Sequence, residues 1–305
     1  MSLKDIEGIG PKTLEKLKEL GITSVEHLAE FTVEELVAVG VEYERAAKIL
    51  SHAAQRVGAT KPKTAIQFRQ EQYKVFKTGL SSFDEKTPWG GIREAFIYEF
   101  AGEFGTGKSM FAHQLAVASL ASDFTARVVY IDTEGTFNDK LAEAVAKRFG
   151  ADPEKVLQSI LVYQPANVAQ LEQIVKFEVP KHIQEGCRVL VIDTITALYR
   201  AEFVGREMLA TRQQRIHYLV DWLRRHARTF NLVSVLTNQV MDMPTGMASM
   251  KTPVGGNVLA HAVNARFMMM RYNKAKPEGY MWPLDVPGMA PDVRIEYRIT
   301  EAGLE

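Results

Sequence analysis

The chain has 305 residues, 46% of them hydrophobic and 24% charged, enough to bury a sizeable core as one large domain with a small one beside it. Its 37 basic and 37 acidic residues cancel, which excludes a global positive field drawing it to nucleic acid or membrane and leaves any such binding to local patches. One cysteine, Cys187, excludes an internal disulfide, and no apolar run approaches the roughly 20 residues that span a bilayer, so a cytoplasmic protein in a reducing compartment is expected.

Residues 1–58 read as short helices separated by glycines, with Ile6, Ile9, Leu14, Leu17, Leu20, Ile22, Val25, Leu28 and Phe31 at helical spacing. Ile6-Glu7-Gly8-Ile9-Gly10-Pro11 is a tight glycine turn whose proline opens the next helix, and Leu36-Val37-Ala38-Val39-Gly40-Val41 repeats it. Two such hairpins make a helix-hairpin-helix pair. Their backbone N–H groups can approach a DNA phosphate without reading a base, with Lys4, Lys12 and Lys16 as supporting cations. Ten acidic residues against seven basic ones over positions 1–60 keep open a domain used only for protein contact. Residues 59–75, with Pro62 and isolated apolar side chains at Ile66 and Phe68, read as a linker.

From residue 76 to 305 apolar strands alternate with amphipathic helices, which predicts an α/β core with a mainly parallel sheet. Expected strands are 96–100, 127–132, 159–162, 188–193 and 232–237, and Cys187 reads as a small core residue ahead of the fourth. Between the first of these strands and a helix lies Gly102-Glu103-Phe104-Gly105-Thr106-Gly107-Lys108-Ser109-Met110, the context in which a glycine-rich loop cradles phosphate. The glycines let backbone N–H groups point inward, Lys108 offers charge to the outer phosphates and Ser109 a hydroxyl to magnesium.

Two strand ends carry acids. Val189-Leu190-Val191-Ile192-Asp193 presents a carboxylate for the metal, and Tyr130-Ile131-Asp132-Thr133-Glu134 presents Glu134 to orient or deprotonate water. A helix cap or a surface charge is the alternative for each. Leu236-Thr237-Asn238-Gln239 brings an amide to the same edge, where Gln239 can feel a terminal phosphate.

Taken together, Gly102 to Ser109, YIDTEGTF at 130–137, VLVIDT at 189–194, YRAEFVGRE and LATRQQ within 199–214, LTNQV at 236–240 and PVGGNVLAHA at 253–262 resemble the archaeal RadA recombinases, relatives of bacterial RecA. With the hairpins, the resemblance covers nearly the whole chain. It implies a RecA-like core behind a helix-hairpin-helix domain. The implied activity is that of a magnesium-dependent ATPase that polymerises on single-stranded DNA and pairs it with a homologous duplex. On that resemblance Lys108 and Ser109 hold phosphate and magnesium, Asp193 belongs to the metal shell, Glu134 serves the water and Gln239 senses. It adds two DNA loops: Arg200, Arg206 and Arg212 belong to the first, and the second runs from about Met241 to Thr252 before Gly255, Gly256 and Asn257. Asp285 and Pro287 resemble the segment that caps ATP across a subunit interface.

The chain departs from that pattern at four places. The family's linker phenylalanine and alanine, which plug into the next subunit, align with Thr60 and Lys63, while nearby Phe68 is followed by Glu71. The second loop is rich in methionine, at 241, 243, 247 and 250, with Lys251 its basic residue. Glu207 stands in place of a glycine, and Leu141 in place of the adenine-stacking arginine. A second reading is therefore a paralogue that uses ATP as a switch and acts as a recombination mediator without strand-exchange filaments. A helicase-type motor is disfavoured by the two-loop signature and the hairpins.

Overall fold

The computed structural model describes residues 2–245, 248–273 and 275–305. The chain divides into two units: Met1–Gln72 with Lys176–Lys181, and Tyr73–Val175 with His182–Glu305. No helix among the described residues is long and apolar enough to cross a membrane.

In the first unit, α1 (Pro11–Glu19) starts at Gly10 with proline in its first turn, and α2 (Val25–Leu28) is capped by the Ser24 hydroxyl. Thr32 and Glu35 close a reciprocal cap at the start of α3 (Val33–Ala38), and the Glu42 carboxylate caps α4 (Tyr43–Arg56). Leu17, Leu28, Leu36 and Ile49 form the buried side of these helices, and Ile22 is buried in the connection between α1 and α2. Both glycine turns are real. Gly8 (φ +94°) and Gly40 (φ +83°) adopt the left-handed conformation that favours glycine. Arg45 Nε donates to Gly8 O at 2.8 Å, and Glu7 N–H donates to His52 Nδ1 at 3.1 Å. The Lys16 ammonium lies against Gly40, only 2.5 Å from where a Cβ would stand. Lys4 and Lys12 are exposed. Inside the expected linker the structure has a helix, α5 (Ala65–Gln70), started by the Thr64 hydroxyl and the Gln67 amide, with no buried residue. The Thr64-x-x-Gln67 capping pair is the local reason for it. Ile66 and Phe68 stand 60% and 57% exposed on it.

The second unit opens with a two-stranded ribbon, β1 (Val75–Phe76) with β2 (Ile92–Arg93), around α6 (Ser81–Lys86). Its main sheet uses β3 (Ile97–Gly102), β4 (Arg127–Asp132), β5 (Ile160–Tyr163), β6 (Cys187–Asp193) and β7 (Val233–Thr245). These match the five expected strands to within a residue or two, except that β7 runs eight residues past 237 and turns back as β8 (Ala248–Pro253). The described residues of the second loop are therefore paired strands continuous with the sheet; Met247 and the side chains of Met243 and Met250 lie outside the described residues. Beyond these strands come β9 (Ala265–Arg271), β10 (Glu278–Asp285), β11 (Ile295–Thr300) and β12 (Gly303–Leu304), an antiparallel extension not expected from the sequence. Strand order is β12-β11-β10-β9-β3-β7-β6-β4-β5, parallel from β9 to β5. Cys187 is buried at the start of β6.

Helix α7 (Lys108–Ala121) leaves β3 through the glycine loop and is buried on all sides, so it packs into the sheet as a central pillar. Phe83 of α6 joins Phe100, Phe111 and Phe267 with ring centroids 6.1, 5.7 and 5.1 Å away. Phe83→Ala is expected to lower stability by about 3–5 kcal/mol, the cost of a fully buried aromatic plus its cavity; a denaturant midpoint unchanged from the parent would contradict this packing.

Candidate functional site

Parallel pairing decides which residues meet at the carboxyl edge of the sheet. Gly102 of β3 is in register with Gln239 of β7, Ile192 of β6 with Leu236 of β7, and Asp132 of β4 with Asp193 of β6. A cavity of about 660 Å³ opens there. It gathers Gly102, Glu103, Phe104, Gly105, Gly107, Lys108, Ser109 and Met110 of the glycine loop with Glu134, Asp193 and Gln239, all of them sequence candidates. Thr106, also a candidate, is buried behind the loop, where its hydroxyl donates to Glu103 O and its carbonyl accepts from the Tyr297 hydroxyl.

The loop's shape follows from its glycines. Gly105 (φ +79°) and Gly107 (φ +94°) are left-handed, and Gly107 caps α7, so the N-terminal amides of that helix face the cavity with their dipole. At Gly102 a Cβ would fall 2.5 Å from Met269 O and 2.8 Å from Thr106 Oγ1, so a side chain there would push β3 from β9. Lys108 Nζ donates to Glu103 O at 2.7 Å, inside the curve of the loop. Burial lowers the Lys108 ammonium pKa, opposed by the Asp193 and Glu134 carboxylates. A cation held dry beside a ring of amides fits an anionic phosphate chain, which would supply the oxygens that Glu103 O now stands in for.

Asp193 accepts three side-chain hydrogen bonds. Its Oδ1 accepts from Ser109 Oγ at 3.1 Å and from the Thr237 hydroxyl, and its Oδ2 accepts from the Tyr130 hydroxyl at 2.9 Å. Among the described residues no group of three or more His, Cys, Asp or Glu could hold a metal ion alone. Ser109 and Asp193 therefore fit a magnesium ion that brings its remaining ligands as phosphate and water, the usual economy of that cation.

Glu134 stands on a turn tied down by Asp132, whose Oδ1 accepts from the N–H groups of Glu134 and Thr136 and whose Oδ2 accepts from those of Phe137 and the Gln164 amide. Burial works to raise Asp132, but these donors outweigh it and its pKa falls. Glu134 moves the other way: burial and the neighbouring Asp193 charge raise it, against Lys108 and the Gln239 hydrogen bond. Gln239 Nε2 donates to Glu134 Oε1 at 2.9 Å, and Gln239 Oε1 accepts from Arg200 Nη1 at 2.8 Å. A carboxylate only accepts and a guanidinium only donates, so the two charges orient the amide.

The other candidates lie elsewhere. Exposed Arg200 is on α8 (Ala197–Glu202); Arg206 is exposed in the following loop, and Arg212 is half-buried in the first turn of α9 (Leu209–Phe230). Gly255 (φ +101°) and Gly256 (φ +58°) form the left-handed turn into α10 (Gly256–Ala260), where Gly255 is buried. The Asn257 side chain lies outside the described residues. Asp285 and Pro287, at and beyond the end of β10, are exposed and do not line the cavity. Leu141 is partly buried against the main core.

Sequence reasoning missed Thr136, Thr194 and Lys251 in the cavity wall. Lys251, noted only as the second loop's basic residue, forms an ion pair with Glu103 of the glycine loop. The strand phrase ending at Gln239 carried a signal for Thr237; a pairing across 148 residues, such as that of Lys251, has none.

A glycine loop at the end of a parallel strand, entering a buried helix and faced by acids on two neighbouring strands, sits on an α/β fold in an arrangement whose amides suit an anionic phosphate. The chain belongs to the Rad51 family: that family's model matches residues 69–305, and a SAM-like helix-hairpin-helix tandem matches residues 1–55. It is 34% identical to the DNA repair and recombination protein RadA of Ignicoccus hospitalis, over 99% of this chain and 95% of that protein. It is 35% identical to the protein of the same name from Aeropyrum pernix, over 99% and 96% respectively.

Gly102→Ala is expected to lower stability by about 1–3 kcal/mol through the forced strand separation and to abolish binding of a fluorescent ATP analogue. Normal binding by the variant would show that the loop tolerates the side chain.

Proposed function

We propose that the chain is an ATP-dependent DNA recombinase that assembles on single-stranded DNA and pairs it with a homologous duplex in recombinational repair. The observation that carries this reading is the chain of hydrogen bonds from Glu134 through Gln239 to Arg200, which links the nucleotide cavity to an exposed arginine of the first DNA loop.

ATP with magnesium, when bound, supplies the transferable phosphoryl group and the charge that offsets it. The chain's own residues do the rest. The loop from Gly102 to Met110 wraps the phosphates, with Lys108 neutralising the outer ones, while Ser109 and Asp193 hold the magnesium. Glu134 orients the attacking water and takes its proton. Arg200 donates to Gln239 Oε1 and Gln239 donates to Glu134. Recruitment of Arg200 to a DNA phosphate withdraws that donor and frees the amide to turn toward the terminal phosphate. Arg206, Arg212 and the turn at Gly255, Gly256 and Asn257 extend the backbone track. Asp285 and Pro287 cap the nucleotide of an adjoining subunit in a homo-oligomer. Residues 1–58 form the helix-hairpin-helix domain, 59–75 the linker and 76–305 the ATPase core.

A second reading, an ATP-switched mediator without filaments, is favoured by the linker. Lys63, at one of the family's plug positions, is ion-paired with Glu71, and Thr60 at the other is exposed. Electron microscopy with single-stranded DNA and a non-hydrolysable ATP analogue separates the two. Continuous helical filaments are expected; isolated particles or rings on bare DNA would establish the mediator reading.

Glu134 also predicts a pH profile. Its carboxyl is raised above the ordinary 4.5, so the basic form accumulates only as pH climbs through that raised value. The acid limb of turnover should lie correspondingly above the ordinary glutamate range. Glu134→Gln should lower turnover by about 10²–10⁴-fold and abolish the limb; steady-state kinetics over pH that leave turnover unchanged would move the base elsewhere.

A further inference from the structure

Directly beneath the cavity is a polar cluster that the reading above leaves unused. His113, one turn beyond Ser109 on α7, is buried at 2% exposure, and Tyr130 in the middle of β4 is fully buried. Such groups are costly to bury unless each bond is satisfied, and here the satisfaction runs through three parts of the site. Asn138 N–H donates to His113 Nε2 at 3.0 Å. A backbone amide cannot accept, so Nε2 carries no proton and the neutral ring holds it on Nδ1. Nδ1–H then donates to Ser109 O at 2.7 Å, with the Tyr130 hydroxyl 3.1 Å from the same nitrogen. Since Nδ1 is already a donor, the phenol proton goes to Asp193 Oδ2 at 2.9 Å. Ring packing holds the geometry: Tyr130 and Phe137 lie 4.8 and 5.0 Å from His113, and 5.0 Å from each other.

We propose that Tyr130 and His113 form a buried brace that sets the position of Asp193 against Ser109 and against the turn carrying Glu134, so that capture of a divalent cation with a nucleotide depends on a phenol hydroxyl that touches neither. The brace rests on the reading of the cavity as a magnesium–nucleotide site. Both are positioning residues. Without the hydroxyl, Asp193 Oδ2 loses its donor and the carboxylate is free to rotate away from the Ser109 oxygen. Without the imidazole, the amide of Asn138 loses its acceptor and the turn from Glu134 to Asn138 loses its tie to α7.

The test is a magnesium titration of the full chain with a fluorescent ATP analogue, comparing the parent with Tyr130→Phe and His113→Gln. Binding of the analogue in EDTA should be the same for parent and Tyr130→Phe. The magnesium concentration at half-saturation should rise on the order of five- to tenfold in Tyr130→Phe, the size of one ordinary hydrogen bond. His113→Gln returns an amide oxygen to the Nε2 position and should shift the midpoint less than His113→Ala. Tyr163→Phe, which removes another tyrosine hydroxyl, bonded to His182 at 2.7 Å, should leave the midpoint in place. A parental midpoint in Tyr130→Phe would overturn the brace alone, whereas a parent chain that binds no nucleotide at all would overturn it together with the nucleotide reading. Should Tyr130→Phe not fold, equal midpoints for the parent, His113→Gln and His113→Ala would overturn it as well.

Discussion

The parallel register of β3, β7, β6 and β4 is the constraint on which the site depends. Pairing Gly102 with Gln239 and Asp193 with Asp132 leaves a glycine loop, an amide and two acids at one edge, although they come from positions 102 to 239 of the chain. A slip of one residue in any of these strands would turn its polar end group to the other face of the sheet. The apolar runs prevent this. β3, β4 and β6 are buried almost throughout, so side chains on both faces pin each strand.

Electrostatics at that edge are arranged by desolvation as much as by pairing. Asp132 and Glu134 are two residues apart, yet the first is driven acidic by four donors while the second is raised by burial beside Asp193. One carboxylate thereby becomes scaffolding and the other is kept within reach of a proton. Lys108 is held with its ammonium drier than usual, a state that favours an anion arriving with its own charge.

Much of this was legible in the sequence because the determinants are local. The glycine spacing around Lys108, the apolar strands ending in Asp193 and Asp132, and the proline that opens α1 each act within a few residues of the element they specify. Helix α5 was locally encoded too, by Thr64 and Gln67, but sits in a polar stretch with no apolar stripe to announce it. Strands β9 to β12 were missed although residues 295–297 alternate buried and exposed side chains, because short alternating runs are easily taken for loops. The pairing of Lys251 with Glu103 and the triangle of His113, Tyr130 and Asp193 were beyond reach. They join residues from different elements, and their meaning depends on which ring nitrogen carries a proton.

Helix α5 has a consequence for how the molecule comes apart. Six residues long and without a buried side chain, it is held by its own backbone, one cap and the exposed Lys63–Glu71 pair that flanks it, below the length at which an isolated helix is stable in water. Its amides should exchange with solvent far faster than those of α7. A protease offered the native protein would find its earliest cleavage there.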